Sequence, residues 1–533
     1  MRRLLAILAL PVVLRATINV PLTIEEALYP GDPTGTTASN RAGIVRTNDP
    51  VTAGIPLPND ATGVNSIAAL GLSGASLGQF RVLACWNGGT PTGTPATSCS
   101  GGTNIKWVLV DTQASLSAGA QNTSISVTNG ATGNFGGSNL ATDNGTTITV
   151  ATGSMIVTIQ KANTDIFHQV VVGSTTIVAA GASGGLVITG PASPATSCGT
   201  CTTAYASTND SGSTASILEN GPAKAVIKVS GQHKDGSGNA YMRFDAFLYF
   251  YVGKSYAKIT SVLHNADYGA SNTFTTAYKG MKSYELRVKG NISGTLNWKI
   301  AGDLSVCTSG VCSGTMSGTN YAYIYQGKSS LMFSTALPVD YTSDVGYTIR
   351  NNTTTVATGD TTHYPAGWAD IADASGNGML IGTYQMAALG PKSLEFDNGG
   401  SDVRIGIFAG ENGNPTGGPG NGTAAYYQAW PERKIQDFFV EFHASAPASP
   451  ANDFLKLQHF LVAHAPYTWY NTTAALTTGP SWPLVNPTVE DNFLYLFTVP
   501  HPLGGQERSV GWEALKHCAC LTCADGVLGK GQG

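Results

Sequence analysis

Between positions 363 and 433 the chain gathers side chains able to move protons, hold an anion and stack on a ring. His363 and Tyr384 are candidate acids or bases, because imidazole and phenol exchange protons readily when set against a reacting group. Lys392 and Arg433 are candidate partners for a carboxylate. Trp368 and Trp430 offer flat faces to a sugar ring. A second set lies on one strand, where a period of two from Tyr241 to Tyr251 puts Arg243 and Tyr249 on a face that is aromatic and polar together. Each residue also has an ordinary reading. Trp368 would bury under a turn, Lys392 and Arg433 would be solvated charges, and His363 would sit exposed in Thr-Thr-His-Tyr-Pro. Tyr384 would fill a sheet face, and a neighbouring domain would cover the Arg243–Tyr251 side. Asp370, Glu395, Asp397, Glu411 and Glu432 leave a pair of carboxylates open as a further acid–base device.

The elements that must position these groups are strands. Charged residues make up 12% of the 533, Gly numbers 65, and Ser, Thr and Asn crowd the intervals between apolar runs. That composition favours strands joined by turns over helices. Apolar residues at 42% and aromatic ones at 9% suffice for packed cores, against disorder. The clearest element is a hairpin. Met242, Phe244, Ala246, Leu248, Phe250 and Val252 form its apolar face, Gly253-Lys254-Ser255 the turn, and Tyr256 to His264 the return strand. Further single strands are expected at Phe80–Trp86, Ile105–Leu116, Thr147–Lys161, Phe167–Ala179, Ala223–Gly231, Met379–Tyr384, Val403–Phe408 and Ile435–Ala444. One segment, residues 453–463, carries helical spacing through Phe454, Leu457 and Leu461, with Asn452 or Asp453 as cap. The expected fold is all-β: a β-barrel over 17–145, a large antiparallel β-sandwich over 146–470 with one short helix near 453–463, and an irregular tail over 471–533.

Arg2 and Arg3 precede an 11-residue apolar run, Leu4 to Leu14, too short for a bilayer and suited to a secretory signal over 1–16. A buried N-terminal strand is the alternative. Cys85 and Cys99, Cys198 and Cys201, and Cys307 and Cys312 read as three local disulfide pairs of an oxidising compartment. Cys518, Cys520 and Cys523 beside His517 lack a standard zinc spacing and read as tail. A net charge of −4 argues against nucleic acid. No transmembrane segment is expected, and the location is secreted, extracellular or periplasmic. No cofactor is certain from the sequence; Asp143-Asn144-Gly145 and Asp397-Asn398-Gly399 could bind Ca²⁺, but turn chemistry is the simpler reading.

Several stretches, in order, resemble the exo-rhamnogalacturonan lyase family. Arg46–Pro58 (RTNDPVTAGIPLP) and Ile105–Asp111 (IKWVLVD) are similar to its N-terminal RIFT-type barrel. Gly221–Gly231 (GPAKAVIKVSG), Phe247–Tyr251 (FLYFY), Gly367–Asp370 (GWAD) and Pro391–Asp397 (PKSLEFD) resemble its central β-sandwich, and Phe442-His443 and Trp469-Tyr470 close the pattern. The family continues into a helical toroid, whereas 63 residues without helical periodicity follow Tyr470 here, so that domain is expected to be absent. The resemblance implies β-elimination on a uronate-containing glycan, with His363 or Tyr384 as base or acid and Lys392 or Arg433 on the carboxylate. Trp368, Trp430, Tyr249 and Arg243 would then bind the substrate. The missing toroid keeps a second expectation alongside: a non-catalytic extracellular carbohydrate-binding or fibre protein. The expected partner is a polysaccharide or other glycan, with self-association allowed.

Overall fold

The computed structural model describes residues 17–26, 43–129, 138–181, 184–194, 201–265, 278–326, 346–359, 365–384, 386, 392–408, 426–429, 433–473 and 475. The candidates His363 and Trp430 lie outside them, as do Cys198, the cysteines after 517 and the expected signal.

The described chain is all-β but for two short helices and a few single turns. Its largest part is a 17-stranded sheet folded over itself into two layers. The first layer runs Thr214–Asn220, Lys224–Lys234, Ala240–Tyr251, Tyr256–His264, Arg433–His443, Gly378–Thr383, Trp368–Ala372, Leu296–Ala301 and Val311–Met316. The second runs Cys201–Ala206, Gly185–Pro191, Ser283–Lys289, Asp402–Phe408, Lys392–Asp397, Ala322–Gln326, Tyr347–Asn351 and Thr354–Gly359. Alternation explains the sandwich. Phe244, Ala246, Leu248 and Phe250 face Leu286, Ile324, Leu394 and Ile405 in one core, and their in-between neighbours point outward. The expected hairpin forms, with Arg243 opposite His264 and Phe250 opposite Ala257.

Two expected single strands are hairpins. Thr147–Ala151 turns back as Met155–Gln160 through Gly153, and Gln169–Val172 as Thr175–Val178 through Gly173. Both glycines hold positive φ, at 92° and 59°, which side-chain-bearing residues seldom adopt. A small five-stranded sheet results, and its apolar side joins the sandwich core from Leu140 onward.

The N-terminal body wraps a three-stranded sheet and a five-stranded sheet around a core of its own. One strand of the larger sheet comes from far away. Leu461–His464 pairs antiparallel with Thr23–Glu26 and parallel with Val51 and Thr52, so the chain leaves this body and returns to it. That return ends the helix expected over 453–463. The helix spans Pro450–Gln458 instead, with Pro450 at its first turn, where a missing N–H costs nothing. Leu461 fits the helical period, but pairing and burial in the N-terminal core override it. Phe454 faces the sandwich and stacks on Phe439 at 5.0 Å, in a space that a side chain at Gly382 would occupy. A second short helix, Tyr467–Thr473, follows where the irregular tail was expected to begin.

Cys85–Cys99 and Cys307–Cys312 are disulfide-bonded as the spacing predicts, with Cα separations of 5.8 and 5.1 Å.

Candidate functional site

The outer face of the first layer is built by three neighbouring strands, Ala240–Tyr251, Tyr256–His264 and Arg433–His443. Its two halves have different fates. At one end Tyr251 and Tyr256 are covered by the N-terminal body, and burial drives both phenols well above their ordinary pKa. Ion pairs lock that contact: Lys254 with Asp49 at 2.7 Å, Lys224 with Asp111 at 2.7 Å, and Arg81 with Glu219 at 2.9 Å. Gln113 adds a hydrogen bond to the carbonyl of Val252.

The other half is open. Arg243, His264 and Arg433 stand opposite one another in register across the three strands, and both arginines are exposed. The imidazole therefore lies one interstrand spacing, about 5 Å, from each arginine's position. His264 Nε2 meets Asp245 Oδ2 at 3.1 Å, and Asp245 Oδ1 takes Lys228 Nζ at 3.1 Å and the Ser230 hydroxyl. Burial opposes ionisation of Asp245, but Ser230 and Lys228 prevail and hold its carboxyl below the usual range. Partial burial lowers the His264 pKa, Arg433 and Lys228 lower it further, and Asp245 only partly offsets them. At neutral pH the ring is thus uncharged. With Nε2–H donated to Asp245, the Nδ1 lone pair is the basic site.

Further along the same face a shallow cleft runs against the Pro450–Gln458 helix. Lys258, Tyr384, Asp437, Phe439, Phe454 and Phe460 line it. Asp437 accepts from Thr260 Oγ1 at 2.5 Å and pairs with Lys258 Nζ at 3.2 Å, and Lys258 lies 5.6 Å from the Tyr249 ring centre. Burial, seconded by Asp437, pushes the Tyr249 phenol up to about 12. Aromatic walls and a few converging polar groups give it a mixed lining.

The structure divides the sequence candidates. Arg243, Arg433, Tyr249 and Tyr384 share the outer face, either on its open row or beside the cleft. Trp368 is on the same side but lies under the Pro450–Gln458 helix. At 3% exposed it packs with Leu380, Phe439 and Phe454, and it presents no face to a sugar. Lys392 does not join the face. It points into the sandwich with Leu394 and Phe396, fully buried, and donates to Gln436 Oε1 at 2.8 Å. With no carboxylate beside it among the described residues, burial pulls its ammonium well below the ordinary lysine value, and Lys434 adds to the effect. Neither residue can meet a substrate carboxylate or ring from where it lies. Of the remaining carboxylates, Asp370 meets His443 Nε2 at 3.1 Å, Glu395 accepts from the Ser393 hydroxyl at 2.8 Å, and Asp397 pairs with Arg404 at 2.6 Å, while Glu411 and Glu432 lie outside the described residues. The Asp143 and Asn144 oxygens are taken by Lys161 and by backbone N–H groups of their own turn. No group of metal-ligating side chains occurs among the described residues.

A depressed lysine has a measurable signature. Between its lowered folded pKa and 10.5 the unfolded chain binds the extra proton, so the Lys392 contribution makes stability rise with pH. Unfolding free energies of wild type and Lys392→Met, compared by denaturant titration, are expected to diverge across that window by up to about 1.4 kcal/mol per pH unit. Parallel pH profiles would show that Lys392 is charged in the folded chain.

Missing from the sequence candidates were His264, Asp245, Lys228, Lys258 and Asp437. The first two were within reach. Arg243 and Asp245 share one side of the strand, and the hairpin turn fixes His264 opposite Arg243.

Comparison with known proteins agrees with this architecture. Residues 140–277 match the family model described as the PcRGLX-like protein central beta sandwich domain. This segment is similar to a PcRGLX-like central β sandwich. The match bears out the resemblance to exo-rhamnogalacturonan lyases, and it places the PcRGLX-like segment among carbohydrate-related proteins. Asp245, His264, Arg243 and Lys228 all lie inside it. Among solved structures, an α-mannosidase from Enterococcus faecalis V583 is similar at TM-score 0.43 and 11% identity, over 84% of this chain and 46% of that one. The chain thus spans about half the length of that protein. A galactose mutarotase-like protein from Lactobacillus casei gives 0.30 and 8%, over 56% and 100% of the two chains. A galactose 1-epimerase from Lactobacillus acidophilus gives 0.31 and 8%, over 56% and 94%. No curated protein matches the sequence. The two disulfides fit an extracellular setting, and no helix among the described residues is long and apolar enough to cross a membrane.

Proposed function

We propose that this protein is exported and acts on a uronate-containing glycan by β-elimination on the open half of the sandwich face. The observation that carries the reading is the in-register row Arg243, His264 and Arg433, with His264 held neutral and its Nε2 committed to Asp245. The uronate carboxylate sits against the two guanidinium groups, which lowers the cost of charge building up at C5. His264 Nδ1 takes the C5 proton as the C4=C5 double bond forms and the C4–O4 bond breaks. The imidazolium then returns its proton to the departing O4, so one residue serves as base and acid. Neighbouring sugars run toward the cleft, where Tyr384 and Phe439 supply ring contacts and Lys258 and Asp437 supply polar ones.

The test is incubation of the full chain with rhamnogalacturonan and with homopolymeric uronans, following the ultraviolet absorbance of unsaturated uronate products. Absorbance should rise on at least one polymer. A second reading, glycan binding without turnover, is favoured by the position of Tyr384. Asp437, which it adjoins, is four residues along from the His264 row, on the order of 13 Å, so the Tyr384 phenol does not stand beside the imidazole. Retained binding with a silent absorbance trace across the panel would establish that reading instead.

A further inference from the structure

The N-terminal body carries a second surface that the proposed elimination does not use. In the Ile105–Leu116 strand, buried Ile105 and Val108 bracket two half-buried residues, Lys106 and Trp107. The pairing explains the break in alternation. Cys85 is opposite Ile105 and Ala84 opposite Trp107, so Lys106 is an extra residue at a bulge, and the bulge turns Lys106 and Trp107 to one side. The Trp107 ring lies over Gly54, 3.9 Å from where a Cβ would stand, because that position has no side chain to lift it off the sheet. Tyr470 flanks Trp107 at 6.3 Å between ring centres, and Lys106 Nζ sits 4.8 Å from the centre of the half-buried Trp86 ring. Trp86, Lys106, Trp107 and Tyr470 thus form a continuous strip.

Two further features narrow what the strip takes. The indole N–H groups of Trp86 and Trp469 are used internally, donating to the carbonyls of Leu57 at 3.0 Å and Pro56 at 2.7 Å. The first bond fixes the Trp86 ring, and the second pins the helix that carries Tyr470. Beside Trp86 the rim is amide-rich: exposed Asn59 donates to exposed Asn87 at 3.3 Å, and half-buried Asn104 donates to the Asp60 carbonyl at 3.1 Å. The Cys85–Cys99 disulfide ties the same edge. Ring faces are electron-rich and attract the slightly positive C–H groups of a pyranose, while the rim amides suit its hydroxyls. A preorganised platform of this kind costs little entropy on binding.

We propose that Trp86, Trp107 and Tyr470 form a polysaccharide-binding platform on the N-terminal body, separate from the sandwich face. Its ligand is a run of pyranose rings, gripped through their C–H faces whatever their charge. The platform raises the affinity of the full chain for polymers and contributes nothing to short uronate fragments bound at the His264 row.

The experiment titrates the full chain calorimetrically with rhamnogalacturonan and with a neutral galactan, and follows tryptophan fluorescence in parallel. The double variant Trp86→Ala/Trp107→Ala is expected to lose about tenfold or more in affinity for both polymers and most of the fluorescence response. Trp107→Phe, which keeps a ring, should retain most of the binding. Binding of the neutral galactan, which carries no uronate to eliminate, separates failure of the platform from failure of the elimination. Unchanged binding in a double variant with wild-type circular dichroism and melting would overturn the proposal. So would a wild-type protein whose tryptophans respond to neither polymer and resist quenching by acrylamide, since that would show the strip covered by residues 476–533 or by a second copy of the chain.

Discussion

His264→Gln is expected to abolish measurable elimination while leaving the melting temperature nearly unchanged. The substitution keeps a polar side chain able to donate to Asp245 but removes the basic nitrogen, and general-base catalysis typically contributes about a hundred- to ten-thousand-fold. A loss of that size in kcat/KM, with binding of uronate oligosaccharides retained, assigns proton removal to the imidazole. Asp245→Asn should act through the same ring. It leaves Lys228 and the tautomer without their anion, so a smaller loss is expected together with a displaced acid limb of the pH profile. The wild-type profile also has a definite sign. Burial and the flanking cations lower the His264 pKa, so activity should persist below the ordinary histidine value and fall only as the pH drops through the lowered one.

Arg46→Ala should be the most damaging substitution for stability, by about 3–5 kcal/mol, because it leaves buried anions and carbonyls without their cation. Arg46 is 2% exposed, and its guanidinium binds Glu26 at 2.8 Å and Asp49 at 3.3 Å. It also donates to the carbonyls of Lys456 at 3.0 Å and His459 at 2.6 Å, where the Pro450–Gln458 helix ends. Terminal helix carbonyls lack partners within the helix and carry the negative end of its dipole, so a buried cation there serves both needs. Asp49 in turn holds Lys254 of the sandwich. One side chain therefore ties together the N-terminal strands, the helix and, through Asp49, the sandwich hairpin. Denaturant unfolding of Arg46→Ala should show a much lower midpoint. A change under 1 kcal/mol would mean that water replaces the guanidinium at those carbonyls.

How much of this was legible in the sequence follows the range of the interactions. The Tyr241–His264 hairpin was readable in full, because its alternation and turn are local and a one-residue slip would move every apolar side chain to the wrong face. The local disulfides at Cys85–Cys99 and Cys307–Cys312 were readable for the same reason. The chemistry was only half legible. Arg243 and Arg433 were picked by type, but Arg433 meets His264 through strands 169 residues apart in the chain, and no local pattern encodes that pairing. Lys392 misled because its place in PKSLEFD says nothing of which layer its side chain enters; the Leu394 and Phe396 period points it inward once both are core. Trp368 misled because the residue that covers it, Phe454, arrives from a helix far along the chain. Leu461 fitted the helical period and still became a strand, since its partners at Val51 and Glu26 lie some four hundred residues earlier.

The most direct test of the open sandwich face as the glycan site is nitrogen NMR of the full chain labelled at its nine histidines, with His264 assigned by its loss in His264→Gln. Without ligand, His264 should report a neutral ring protonated at Nε2 and a pKa below that of a free histidine. Adding a uronate oligosaccharide should move its Nδ1 resonance and raise that pKa, because a carboxylate now stands beside it. A His264 signal that stays fixed through saturation, while a histidine elsewhere shifts, would contradict the assignment.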